Sequence, residues 1–195
     1  MNPVDLNFPP RPTALAQEIL KPLIRAGDWV IDATAGNGHD TVFLAACVGA
    51  EGKVLAFDVQ QVALASAQAR VAVAGFAARV EFFHESHRQM EAHAVKSSVA
   101  VVMFNLGYLP GENHELTTET EETLGGLDGA ARLLKTGGML SVICYPGHPV
   151  GAAEALAVAE WMSALAAQGW RVARYETVGT RRPAPLLWLA GRIAD

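Results

Sequence analysis

Apolar positions along this chain alternate between helical spacing and short unbroken runs, and glycine or proline punctuates most of the changes. TALAQEILKPLIR (13–25) has helical spacing, with Pro22 kinking or closing the helix. WVIDA (29–33) reads as a buried strand and TVFLAACVG (41–49) as a helix stopped at Gly49. KVLAFD (53–58) is strand-like, and QQVALASAQARVAVAG (60–75) is an amphipathic helix ending at Gly75. RVEFFH (79–84) and SSVAVVMFN (97–105) are the next strands. Thr118 with Glu121 makes a capping box for a helix running to about Lys135. GGMLSVICY (137–145) is a strand and VGAAEALAVAEWMSALAAQG (150–169) a long helix. WRVARYETV and PLLWLAGRI form a C-terminal antiparallel pair at the sheet edge. Seven strands alternating with helices predict an α/β doubly wound sheet.

Composition narrows the class. With 195 residues, 51% hydrophobic and 18% charged, the chain suits one domain, 1–195, with a substantial core. No apolar run reads as a membrane span, and MNPVDLNFPPRP lacks the basic stretch and apolar core of a signal peptide. A cytoplasmic location is expected. Cys47 and Cys144 are too few for a disulfide framework and sit in apolar contexts, as small core residues do. The net charge of −5 argues against a surface coated with phosphate-binding groups. The charge is unevenly spread: six acids and no Lys or Arg lie between Ser97 and Ala131, whereas five Arg face two acids from Arg171 to Asp195. That C-terminal segment is either a solvated face or a local basic patch for nucleic acid.

In an open parallel sheet the ligand lies beyond the carboxyl ends of the strands. After the first strand comes DATAGNGHDT, with Asp32, Thr34, Gly36, Asn37, Gly38, His39, Asp40 and Thr41. The paired glycines let backbone approach a ligand before a helix N-terminus. Asp58 ends the second strand, 20 residues past Gly38, where an acid can fork the hydroxyls of an adenosine ribose. Gln60 stands at the mouth of the same loop, either contacting the cofactor or starting the helix. Asp32 orders the glycine loop or holds a methionine ammonium through water. Asn37, His39, Asp40 and Thr41 open a helix whose free N–H groups suit a carboxylate, with capping the bland role for Asp40. Ser86 and His87 follow the third strand, where adenine edges are read; His84 and His87 lack further ligands to complete a metal site.

Dinucleotide dehydrogenases and S-adenosyl-L-methionine methyltransferases both use glycines followed by an acid. G-x-G-x-x-T lacks the third packing glycine of the former, a helix precedes the first strand, and no second domain remains. The methyltransferase reading follows. FNLGYLPG (104–111) then ends the fourth strand with acceptor chemistry. The Asn105 side-chain oxygen and the Leu106 carbonyl can orient an amine, Gly107 allows close approach, and Tyr108 offers a face to a planar base. The stretch resembles the Asn/Asp-Pro-Pro-Tyr/Phe signature of amino-group methyltransferases, with Leu-Gly in place of Pro-Pro. YPGHP places Tyr145 in the substrate site, and His148 is the candidate base. Arg181 and Arg182 are candidate phosphate contacts.

Taken together, DATAGNGHDT, FLA, FDVQ, Ser86–His87, MFNLGYLPG, the Thr pair at 117–118, YPGH and RRPAP resemble one group across residues 13 to 192. This is the bacterial MnmM-type family of tRNA methyltransferases, first described as rRNA methylases. The resemblance implies a Rossmann-like class I methyltransferase fold. It also implies methylation of the 5-aminomethyl group on wobble uridine, often 2-thiolated, with S-adenosyl-L-methionine as methyl donor. The partner implied is the tRNA anticodon stem-loop; no membrane or metal is expected, and a homodimer is left open. Methylation of rRNA or of a small amine, and cofactor binding without chemistry, are the rival readings.

Overall fold

A computed structural model describes residues 9–107 and 120–193. Seven strands form one sheet in the order β3-β2-β1-β4-β5-β7-β6. They are β1 (Trp29–Asp32), β2 (Lys53–Phe57), β3 (Val80–Phe83), β4 (Val99–Asn105), β5 (Leu134–Cys144), β6 (Arg171–Glu176) and β7 (Leu186–Gly191). The first five are parallel, and β7 runs antiparallel to both β5 and β6. The expected edge hairpin is present, with its second strand inserted between β5 and β6. Strand order reverses between β1 and β4, which creates the crevice where such sheets take ligands.

The helices are α1 (Pro12–Leu20), α2 (His39–Cys47), α3 (Gln61–Val73), α4 (Thr120–Leu133) and α5 (Pro149–Ala167). Pro22 falls in a 3-10 turn, Lys21–Leu23, so α1 closes rather than kinks there. Thr118 of the expected capping box lies outside the described residues. The helix α4 runs directly into β5, three residues before the expected strand start, with Gly137 at φ +77° within that strand.

Period-two alternation in β4 sorts its side chains between two cores. Val102, Phe104 and Leu106 pack with Leu127, Val158 and Met162 on the α4/α5 face. Val101 and Met103 pack with Leu20, Leu44 and Val48 on the opposite face. Asn105 therefore projects on the face shared with α1 and α2. Helix α5 is 19 residues long with mean hydropathy 1.3, long and apolar enough to cross a membrane by length and composition, contrary to the sequence reading. Its Ala155, Val158, Met162 and Leu165 are buried in the α4/α5 core. Full burial of each larger chain contributes about 1.5–3 kcal/mol.

Candidate active site

The residues flanking the β1/β4 crevice are wired to each other before any ligand enters. Backbone N–H of Ala33 donates to Met103 O at 2.8 Å, and Asn105 N–H donates to Thr34 Oγ1 at 2.7 Å. Thr34 thus ties the glycine loop to the end of β4. Gly38 has φ +78°, and a Cβ there would stand 2.7 Å from Ala67 Cα. A glycine is required because the loop turns in the left-handed region while pressed against α3. Asn37 faces α3, accepting from Ser66 Oγ through its side chain and from Arg70 Nε through its carbonyl. His39 is exposed at the first position of α2.

Asp32 is buried, accepting from Thr34 N–H at 3.2 Å and from Thr41 Oγ1 at 2.6 Å. Burial, reinforced by Asp40, pushes its pKa up to about 7. Its carboxyl orders the glycine loop, one of the two roles read from the sequence. Asp58 accepts from Gly36 N–H at 2.8 Å and from Gln60 N–H at 2.9 Å, so one carboxylate joins the glycine loop to the start of α3. Gln60 is the N-cap residue of α3, and its side chain makes no capping hydrogen bond.

Asp40 does not cap α2. Its Oδ1 accepts from Gln17 Nε2 at 2.8 Å, and its Oδ2 lies 3.5 Å from Asn105 Nδ2. Tyr145 is half-buried close to Asn105, and burial, with the Asp40 charge, raises its pKa. Gly107 lies against the Tyr145 ring, a Cβ there falling 3.2 Å from Cδ2. Leu106 is fully buried and donates its N–H to Ile143 O at 2.8 Å. Tyr108 lies outside the described residues. Gln17 was missed by sequence reasoning; a glutamine in an amphipathic helix carries no local signal, and only the docking of α1 brings it to the crevice.

Ser86 and His87 serve α4. Ser86 Oγ donates to Glu122 Oε2 at 2.5 Å and accepts from Arg88 N–H at 3.2 Å. The Ser86 hydroxyl and the Arg88 guanidinium, whose Nη1 donates to Glu122 Oε1 at 3.1 Å, hold the Glu122 carboxyl below its ordinary range. The His87 ring is wedged edge-on to Phe104 and beside Gly126, where a Cβ would come within 2.3 Å of Cδ2. Burial lowers its pKa and favours the neutral ring. His84 instead contacts Val59 O through Nε2, so the two histidines engage different partners.

His148 is the N-cap of α5, its Nδ1 accepting from Gly151 N–H at 3.1 Å. A neutral ring capping this way carries its proton on Nε2, so the cap and a proton-accepting role compete for the same lone pair. Arg181 and Arg182 are exposed on the connection between β6 and β7. Because β6 is parallel to β5, this connection emerges at the crevice end, and Pro183 O lies 3.6 Å from a Cβ placed on Gly147.

Comparison with known proteins matches this geometry to a family. Residues 54–190 match the family model described as "Putative rRNA methylase". A chloroplastic tRNA (mnm(5)s(2)U34)-methyltransferase from Arabidopsis thaliana is 36% identical over 184 residues, 90% of this chain and 67% of the relative. The crystal structure of a "putative rRNA-methylase" from Clostridium thermocellum superposes with a TM-score of 0.91 at 33% identity, covering 94% of this chain and 98% of that one. A "putative methyltransferase" from Streptococcus mutans, solved with SAH, gives 0.85 at 28% identity, covering 94% and 99%. With the glycine loop, the strand-end acid and the β7 insertion in one sheet, and the match running from β2 into β7, the chain belongs to this methylase family and has the Rossmann-like class I methyltransferase fold.

Proposed function

We propose that this protein is an S-adenosyl-L-methionine-dependent tRNA N-methyltransferase. It converts the wobble 5-aminomethyl-(2-thio)uridine to its 5-methylaminomethyl form. The observation that carries the reading is Asn105, an amide at the crevice end of β4, wired to the glycine loop through Thr34 and facing Asp40 through its side-chain nitrogen. The printed activity of the Arabidopsis relative supports the same acceptor.

The residues suit the methyl donor. Each Asp58 oxygen takes one backbone amide and retains lone-pair capacity for a ribose hydroxyl. The N–H groups of the first turn of α2 suit a carboxylate, those of Gly36 and Gly38 being taken by Asp58 and by Ala35 O. When bound, the donor supplies an electrophilic methyl group on a sulfonium. The chain's own task is to present a neutral amine in line with that methyl and to shed the proton the nitrogen then carries. The Asn105 carbonyl accepts an amine N–H and fixes the lone pair's direction. Burial at Tyr145 disfavours an ammonium by desolvation, set against the Asp40 charge, which favours one.

The RNA is held as the anticodon stem-loop, whose single-stranded bases enter a pocket without the cost of opening a duplex. Arg181 and Arg182 contact its phosphates from the β6–β7 connection. One domain over 1–195 acts in the cytoplasm, and a dimer remains compatible with it.

The test is nucleoside mass spectrometry of tRNA from a strain lacking the gene, before and after treatment with the purified protein and S-adenosyl-L-methionine. The expected result is loss of the methylaminomethyl nucleoside in the strain and its recovery on treatment. Unchanged tRNA, with labelled methyl going to rRNA or to small amines, would overturn the reading.

A further inference from the structure

We infer that Asp40, clamped by Gln17, is a positioning residue that sets which way the Asn105 amide faces. This deepens the proposed function and rests on the reading of Asn105 as the group that orients the amine.

The two oxygens of Asp40 serve two amides from different elements. Oδ1 accepts from Gln17 Nε2 of α1 at 2.8 Å, and Oδ2 faces Asn105 Nδ2 of β4 at 3.5 Å. A carboxylate only accepts hydrogen bonds, so the atom each amide turns toward it must be nitrogen. Asn105 therefore turns its carbonyl oxygen away from Asp40. The alternative flip would present NH₂ to the substrate. An NH₂ donor there would engage the amine's lone pair, the pair that must attack the methyl. The two flips of an asparagine have nearly the same shape, so only hydrogen bonding separates them.

The clamp is held on both sides. Asp40 is 8% exposed in the first turn of α2. Gln17 is carried by α1, whose Ala16 is buried against Ile143 and Leu187 beside Tyr145. Ile143 is also the register partner of Asn105 across β4 and β5. Thus α1 docks on the strand pair whose end it helps to set. With Gln17 on Oδ1, Oδ2 is left for Asn105.

The experiment is a double-mutant cycle on single-turnover methyl transfer to aminomethyl-bearing tRNA, with S-adenosyl-L-methionine affinity and tRNA KM measured on the same proteins. Asp40→Ala is expected to slow transfer by about 10- to 100-fold, the scale of a misplaced reacting group, with cofactor affinity and KM within a few-fold. Asn105→Ala is expected to slow it by about 10²–10³, and the double variant no further, because the two act as a unit. Asp40→Asn should recover about a tenth or more of the wild-type rate: its carbonyl can face Asn105 while its NH₂ faces a flipped Gln17. Gln17→Ala, on a half-buried helix position, should slow transfer several-fold and keep the pH profile, and it covers the case in which Asp40→Ala fails to fold. Additive losses in the cycle would overturn the clamp. So would an Asp40→Asn variant as slow as Asp40→Ala, which would assign the effect to charge. Absence of transfer by the wild type would sink the proposed function and the clamp with it, whereas wild-type transfer with an additive cycle sinks the clamp alone.

Discussion

The two sides of the crevice are assembled over different distances along the chain. On the glycine-loop side, Asp32 bonds Thr34 and Thr41 two and nine positions away, and Asp58 bonds Gln60 two positions away and Gly36 22 positions away. On the acceptor side, Asn105 reaches Thr34 over 71 positions and Asp40 over 65, while Gln17 reaches Asp40 from another helix. The first side forms once β1, β2 and their connections are in place. The second needs α1, α2, β4 and β5 docked together. Local wiring makes a binding loop that a motif can announce; distributed wiring makes a reaction chamber whose parts look ordinary in isolation.

The buried carboxyl of Asp32 gives the largest way to separate the sides. Its pKa is about 7 in the folded protein against an ordinary 3.8, so folding takes up a proton between those values. Its contribution to ligand-free stability is therefore most favourable below about pH 4. It falls as pH rises toward 7, by up to roughly 4 kcal/mol. Asp32→Asn should flatten that limb in urea titrations from pH 4 to 8. If wild type and variant kept the same pH slope, Asp32 would be ionised throughout and its hydrogen bonds would outweigh burial.

Next in size, Asp58→Ala should weaken S-adenosyl-L-methionine binding by roughly 1.5–3 kcal/mol, the scale of hydrogen bonds to a charged group. Because the same carboxylate holds Gly36 and Gln60, the variant should also loosen the loop while leaving tRNA affinity intact. Calorimetry returning wild-type cofactor affinity for a folded variant would remove Asp58 from the site.

The Arg181→Ala/Arg182→Ala pair probes the acceptor side alone. Cofactor affinity should hold, KM for tRNA should rise, and the salt dependence of binding should flatten by about one unit of slope or less per contact. Equal tRNA affinity across salt for the pair and the wild type would make both arginines solvated surface.

The smallest effect concerns His148. With Nδ1 spent on the Gly151 N–H, His148→Ala should lose about 1 kcal/mol of stability, as a missing N-cap does, and His148→Ser should restore most of it. The pH profile of methyl transfer should be unchanged in both. A loss of activity confined to mildly acidic pH would restore His148 as the proton acceptor.

Much of this was legible from the residues. The seven strands, the order of helices, the glycine loop with Asp58, and Asn105 at a strand end all follow from short-range spacing, because each rests on periodicity or on a turn within a few residues. Other features were set only by packing. The chain does not announce that β7 slips between β5 and β6, or that Ser86 and His87 turn toward α4 and Asp40 away from its own helix terminus. Nor does it announce that Gln17 completes the acceptor side. Each of those depends on which neighbour satisfies a buried polar group. That neighbour is chosen by how helices dock on a sheet, over separations at which local sequence carries no directional information.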